Sequence, residues 1–278
     1  MKNIIVAMDF SKGADQALDF AITIANKTQS DIMIVWVDTA NTKETTFGPC
    51  KNEVRRDAKL ELLNIADEKS SRLNSGKIRI KLRKGKVYQE LALQAKTSEA
   101  ELIVVGTHGI SGYEEFWIGS NAFKIISYAP CPVISVRVGN NPKRSIRTII
   151  VPIDNSSDST KKIPTAANLA IAFDAEIHLL GIYTTDLASL KNKTDRSLLE
   201  AEKYLIKANV NYLKQTMSSK NLPVSVVDYA TSMKGDMIVI MTDQEKANLS
   251  FLLGDYSQKI INLSPLPILS VKPKNLFD

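Results

Sequence analysis

Cysteine and histidine are scarce, with two of each in 278 residues. Cys50 and Cys131 make no disulfide framework, and neither belongs to a Cys-x2-Cys pair. Cys131, set between two prolines ahead of a strand, reads as a small buried apolar residue. Nothing supplies metal-ligand spacing around His108 or His178, so no structural zinc site is expected. No run approaches the roughly 18 apolar residues of a membrane span. Met1 leads directly into Ile4-Ile-Val-Ala7, without a basic segment before a long apolar one. The expectation is a cytoplasmic protein that makes no membrane contact. Also missing are Gly-x4-Gly-Lys-Ser/Thr and Gly-x-Gly-x2-Gly, which excludes a Walker A loop and the dinucleotide fingerprint.

What is present is ordinary for a globular protein, with 44% hydrophobic and 24% charged residues. The length predicts two domains of about 140 residues, each large enough for its own core. A formal charge of +6 invites a nucleic-acid reading. The Lys and Arg residues are interleaved with acids, as in Lys51-Asn-Glu-Val-Arg-Arg-Asp57, so solvated helix faces are the better account. No nucleic-acid partner is expected.

Taken in order, Asn3–Asp9 reads as a strand, and Ser11 as the N-cap of a helix carrying Ala14, Ala17, Leu18, Ala21, Ile22 and Ala25. Asp31–Asp38 is a second buried strand, residues 39–51 a polar loop, and residues 53–73 a long amphipathic helix. Ile78, Ile80 and Leu82 alternate with basic residues, the pattern of a half-exposed edge strand. A short helix over 87–96 precedes the fully apolar run Leu102-Ile-Val-Val105, a helix over 120–129 and a strand over 132–138. That succession predicts a five-stranded parallel sheet with helices on both faces.

Between the run at 102–105 and the helix at 120 lies a glycine-rich stretch, with three glycines in the seven residues from Gly106 to Gly112. It joins a strand's carboxyl end to a helix start, where open α/β sheets bind ligands and unpaired N–H groups favour an anion. Gly106 and Gly109 would let backbone approach a phosphate, while Gly119 and Ser120 would offer N–H donors and a hydroxyl. The bland alternative is that these glycines only make turns.

The pattern then repeats. Asn3-Ile-Ile-Val-Ala-Met-Asp-Phe-Ser11 is echoed by Thr148-Ile-Ile-Val-Pro-Ile-Asp-Asn-Ser156, and Phe116-Trp-Ile-Gly119 by Phe251-Leu-Leu-Gly254. The offset drops from 145 to 135 residues between the two echoes. We assign the loss to the segment between Val226 and Asp236, so that the second copy is expected to lack one crossover helix. In the second copy Gly106-Thr-His-Gly109 becomes Met241-Thr-Asp-Gln244, and Gly119-Ser120 becomes Gly254-Asp255. Side chains replace backbone there, and Asp243 and Asp255 repel an anion. One working site and one structural copy are expected, with domains at 1–140 and 145–278.

The spacing Gly-x2-Gly-x9-Gly-Ser, filled by Gly106, Gly109, Gly119 and Ser120, resembles the nucleotide-binding signature of the universal stress protein family. The resemblance covers nearly the whole chain, in the tandem two-domain form. It implies two doubly wound parallel five-stranded sheets of the adenine nucleotide alpha hydrolase-like kind. It further implies a stress-response regulatory role with an adenine nucleotide, ATP or its products ADP and AMP, as ligand and Mg²⁺ or Mn²⁺ in attendance. Carried onto this sequence, Asp9 contacts the ribose and backbone near Val37 the adenine. Gly106, Thr107, His108 and Gly109 line the ribose and α-phosphate, and Gly119, Ser120 and Asn121 hold the outer phosphates. Asp9 at a strand end equally suits a helix-capping role. The family's pairing through last strands implies an intramolecular pseudo-dimer, with a homodimer of the whole chain as the further option. An unidentified protein partner and a nucleotide-independent interaction role stay open. No paired carboxylates, nucleophile–base couple or positioned lysine flank the loop, so at most weak ATP hydrolysis is expected. Two departures stand out: Ile110 occupies a place often basic in the family, and Glu114 and Glu115 follow it.

Overall fold

Four apolar runs and one alternating strand build the first sheet in the computed structural model, which describes residues 2–39, 51–107, 118–139, 145–242 and 255–273. The elements are β1 (Asn3–Met8), α1 (Lys12–Thr28), β2 (Asp31–Asp38), α2 (Lys51–Ser70), β3 (Ile78–Lys84), α3 (Val87–Thr97), β4 (Leu102–Gly106), α4 (Ser120–Tyr128) and β5 (Val133–Val136). The strands lie in the order β3-β2-β1-β4-β5, every neighbouring pair parallel. Steps from β1 outward to β3 run one way and steps from β4 to β5 the other. Right-handed crossovers therefore put α1 and α2 on one face and α3 and α4 on the opposite face. Ile4, Ile5, Val6, Ile103 and Val104 are fully buried, which is why the central strands read as unbroken apolar runs.

Ser11 does cap α1, its Oγ accepting from the Ala14 N–H at 3.2 Å. The face formed by Ala17, Leu18, Ala21, Ile24 and Ala25 is buried, and Gln29 ends the helix in the left-handed region at φ 53°. A charged clamp ties α1 to α2. Lys69 Nζ lies 2.8 Å from Asp15 and 2.9 Å from Asp19, and Arg72 also reaches Asp19. Burial is the largest single influence on Lys69 and lowers its pKa. Hydrogen bonds from Asp15 and Asp19, with their charges, together outweigh it and hold the ammonium above its usual value.

The sign of the pH dependence follows. A lysine whose pKa is raised on folding contributes stability that is complete below its unfolded value and is lost as pH climbs through the folded one. Melting temperatures measured from pH 7 to beyond pH 10.5 are expected to fall more steeply for the wild type than for Lys69→Met. Parallel curves for the two proteins would show that the clamp contributes nothing.

The second half repeats the pattern with β6 (Thr148–Ile153), α5 (Ile163–Phe173), β7 (Glu176–Tyr183), α6 (Ala188–Lys207), β8 (Tyr212–Ser218), α7 (Leu222–Ser232), β9 (Met237–Met241), α8 (Asp255–Leu263) and β10 (Ile268–Val271). Its strands lie in the order β8-β7-β6-β9-β10, again all parallel. Contact density divides the chain into two compact units with the boundary in the chain at Val138 and Gly139.

The missing crossover helix is not missing. α7 occupies Leu222–Ser232 and matches α3 in its 11 residues. Val224, Val226 and Val227 favour a strand on local preference, but Leu222, Val226, Val227 and Ala230 are buried together on one helical face, and a proline stands in the first turn. The lost residues come mainly from the connection after the second strand, residues 39–50 in the first half and only 184–187 in the second.

His178 packs inside β7, 4% exposed, with Nδ1 3.2 Å from Tyr229 Oη and Nε2 2.9 Å from Glu176 Oε1. Cys131 is half-buried, and burial pushes its thiol up to about 12. Among the described residues, no helix is long and apolar enough to cross a membrane.

Candidate functional site

A cleft of about 960 Å³ opens at the carboxyl ends of β1, β2 and β4. The sheet order makes it: β1 passes outward to β2, whereas β4 lies on β1's other side, so the connections diverge and leave a crevice at the strand ends. From β1 and the turn after it come Ala7, Met8, Asp9, Phe10 and Ser11, and from β2 come Trp36, Val37 and Asp38. β4 and its continuation supply Val105, Gly106 and Thr107, and the start of α4 supplies Gly119, Ser120 and Asn121. Seven of the nine expected site residues therefore share one cleft: Asp9, Val37, Gly106, Thr107, Gly119, Ser120 and Asn121. His108 and Gly109 lie outside the described residues, as do Ile110, Glu114 and Glu115.

Asp9 shapes its own turn. Its Oδ1 accepts from the Ser11 N–H at 3.0 Å, and between them Phe10 adopts φ 63°, bringing its ring 6.4 Å from that of Trp36. Among the described residues the second carboxylate oxygen has no such bond, so capping and ligand contact are compatible. Val37 is buried and lies on the strand whose end forms the cleft floor.

Gly106 has a structural reason to be glycine beyond ligand access. A Cβ there would stand 2.6 Å from the Gly13 carbonyl carbon and 2.7 Å from its oxygen, backbone atoms at the start of α1. The base of the glycine-rich stretch is pinned: Thr107 N–H donates to Val136 O at 2.9 Å, and Gly119 N–H to Thr107 O at 2.8 Å. This corrects one expectation. The Gly119 N–H is already committed to Thr107 and is not a free donor for a ligand. The first intrahelical bond of α4 is Phe123 N–H to Gly119 O, so the N–H groups of Ser120, Asn121 and Ala122 have no acceptor within the helix, and Gly119 gives it no side-chain cap.

The sequence reading did not anticipate the contribution of α2. Val54, Asp57, Ala58 and Glu61 line the cleft from the side, at the three- and four-residue intervals that put them on one helical face. That spacing was visible in the sequence, but not the direction in which the helix passes over the strand ends. With Asp9 and Asp38 they give the cleft four carboxylates, and no Lys or Arg stands among its described lining residues. Among the described residues, no group of three His, Cys, Asp or Glu side chains is arranged to hold a metal ion.

The second half has neither glycine of this close approach. Met241 stands where β4 has Gly106, and Asp158 where α1 has Gly13. Asp154 repeats the Asp9 turn, accepting from the Ser156 N–H at 3.0 Å, but α5 begins only at Ile163, six residues later than the counterpart of Lys12. Turns fill 157–162, and Lys162 is buried there, with Nζ donating to Ser159 O at 2.6 Å. Asp255 opens α8, putting a fixed negative charge where Ser120 opens α4.

Comparison with known proteins fits this double architecture. A profile of the universal stress protein family matches residues 1–137 and again 145–272. The chain belongs to the universal stress protein family. It is 31% identical over 146 residues to universal stress protein YxiE of Bacillus subtilis (strain 168), an alignment covering 48% of this chain and 97% of that one. The fold is similar over 98% of the chain to a universal stress protein from Archaeoglobus fulgidus DSM 4304, with a TM-score of 0.76, 15% identity and 97% of that chain covered. PA1789 of Pseudomonas aeruginosa PAO1, a protein of unknown function, is similar over 98% of this chain and 93% of its own, with a TM-score of 0.63 and 16% identity. This universal stress protein thus carries two family domains in tandem.

Proposed function

We propose that the first domain, residues 1–140, binds an adenine nucleotide, ATP or its products ADP and AMP, and that occupancy regulates a stress response in the cytoplasm through a protein partner. The observation that carries the reading is the cleft, which gathers Asp9, Val37, Gly106, Thr107, Ser120 and Asn121 at the strand ends beside a helix start. Its volume falls within the range of about 300–1,000 Å³ usual for small-ligand sites. In this reading Asp9 holds the ribose through its second oxygen and backbone near Val37 meets the adenine. Gly106, Thr107, His108 and Gly109 border the ribose and first phosphate, and Ser120 and Asn121 offer donors to the outer phosphates beside Gly119.

Mg²⁺ fits as a companion of the phosphates rather than as a resident ion, because the described carboxylates form no cage for it. What it supplies when bound is charge neutralisation in an acidic cleft. The second domain, residues 145–278, is in this reading a structural copy whose Met241 and Asp255 close the equivalent position. The pairing of two tandem domains as an intramolecular dimer belongs to the same proposal, supported by the presence of two copies of one domain in the chain.

The test is calorimetric titration of ATP, ADP and AMP with Mg²⁺ into the wild type, freed of co-purified nucleotide, and into a Gly109→Asp, Ser120→Ala variant. The expected result is saturation at about one nucleotide per chain, abolished in the variant. No binding by the folded wild type would leave the interaction role that needs no nucleotide as the reading to adopt.

A further inference from the structure

The duplicated halves present the same sheet edge twice, and the two edges differ in charge. β3 ends one sheet order and β8 the other, and both strands are seven residues long. From Lys77 to Lys86 the first edge reads Lys-Ile-Arg-Ile-Lys-Leu-Arg-Lys-Gly-Lys, with six cations and no acid. The corresponding stretch from Asn211 to Lys220 has two lysines, and one of them, Lys214, is paired with Glu202 at 2.7 Å.

On the β3 edge, Arg79 is held by Asp31 and Arg83 by Glu90, each at 2.9 Å. Lys77, Lys81, Lys84 and Lys86 are exposed and have no ionic partner among the described residues. Lysines are a known device for blunting an edge against unwanted pairing. Blunting alone does not account for them here, because the β8 edge, of equal length and equal place in its sheet, does without. The second copy serves as an internal control and leaves the density of cations on β3 without that explanation.

We propose that the β3 edge docks an acidic, extended peptide segment of another protein, which lies alongside it as a further strand. A sheet edge offers a row of backbone donors and acceptors that a peptide backbone matches. Alternate residues of a strand are about 6.8 Å apart, so carboxylates at every second position of the segment face the row 77, 79, 81 and 83, in which Lys77 and Lys81 have no ionic partner among the described residues. The half-buried Ile78, Ile80 and Leu82 leave apolar surface for the intervening side chains. Arg55 Nη2 reaches the Leu82 carbonyl at 3.5 Å, the outer limit of a hydrogen bond, and is readily displaced. Nucleic acid fits less well, because the stretch 77–86 contains no aromatic residue on which a base can stack.

The experiment uses the full chain and a fluorescent octapeptide alternating Glu and Val, with its Lys–Val counterpart and a short oligouridylate as competitors. Saturable anisotropy change is expected for the acidic peptide, weakening with salt and at least about tenfold weaker for Lys77→Glu, Lys81→Glu. Hydrogen exchange with the peptide bound should slow within Ile78–Lys84 and stay unchanged within Tyr212–Ser218. The substituted lysines are exposed, so the variant keeps its fold, and an unchanged melting temperature verifies this. The proposal is overturned by absence of saturable binding, by equal binding of the Lys–Val peptide, or by indifference to the lysine substitutions. Tighter binding of oligouridylate at the same residues also overturns it and assigns the edge to nucleic acid.

Discussion

Gly106→Met is expected to lift the start of α1 away from β4, lower stability by about 1–3 kcal/mol and abolish nucleotide binding by the first domain. The argument rests on which atoms are crowded. A Cβ at Gly106 meets the Gly13 carbonyl carbon at 2.6 Å and the Ala14 nitrogen at 3.1 Å, and these backbone atoms have no rotamer to escape into. The helix start must move, and with it Asp9 and Ser11, whose turn leads into α1. The same chain contains the outcome: with Met241 and Asp158 at the paired positions, α5 begins at Ile163 and the residues before it form turns. Denaturant midpoints and ATP titration of Gly106→Met, beside Gly106→Ala, measure the effect, and Ala should lose less than Met. A Gly106→Met protein as stable as the wild type and still binding nucleotide would show that close approach is not why this position is glycine.

That comparison also marks how far the sequence could be read. The central strands were legible because burial on both faces demands unbroken apolar runs, as at Ile4-Ile-Val and Leu102–Val105. Ser11 was legible as a cap because its chemistry is local. The β3 edge was legible from its alternation. α7 was not: Val224, Val226 and Val227 favour a strand by local preference, and only packing of Leu222, Val226 and Ala230 onto one face decides for a helix. Misplacing that element also misplaced the ten-residue loss, which falls mainly in a connection, where length is cheap to change.

The cleft was legible in part for the same reason. Strand-end residues such as Asp9, Val37 and Gly106 are gathered by the topology of a parallel sheet, which the strand order dictates. The commitment of the Gly119 N–H to Thr107 depends on how a long connection closes on itself, and nothing local encodes it. Asp57 and Glu61 reach the cleft because α2 packs Ala58, Leu62 and Ala66 against the sheet and is tied to α1 by the Lys69 clamp, a contact between residues 50 and more positions apart.

Those α2 carboxylates lead to the second large effect. Removing Mg²⁺ is expected to weaken ATP binding by about 10- to 100-fold while leaving adenosine within about twofold. The described lining of the cleft includes Asp9, Asp38, Asp57 and Glu61 and no Lys or Arg, and in the sequence the stretch from Gly106 to Ser120 contains no Lys or Arg either. A like-charge pair about 8 Å apart in a partly solvated site costs roughly 0.5–1 kcal/mol, and a free triphosphate meets several such pairs at once. Asp57, 69% exposed and 3.7 Å from Arg56 Nε, contributes the screened lower end of that range, so salt should narrow the gap. ADP and AMP fall between the extremes in order of charge. Neutralising the helix with Asp57→Asn and Glu61→Gln is expected to recover several-fold of the lost metal-free ATP affinity without altering adenosine binding. The decisive comparison is ATP against adenosine in EDTA. Equal affinities there would mean that the carboxylates point their charge into solvent and that backbone N–H groups of Ser120 and Asn121 alone suffice for the phosphates.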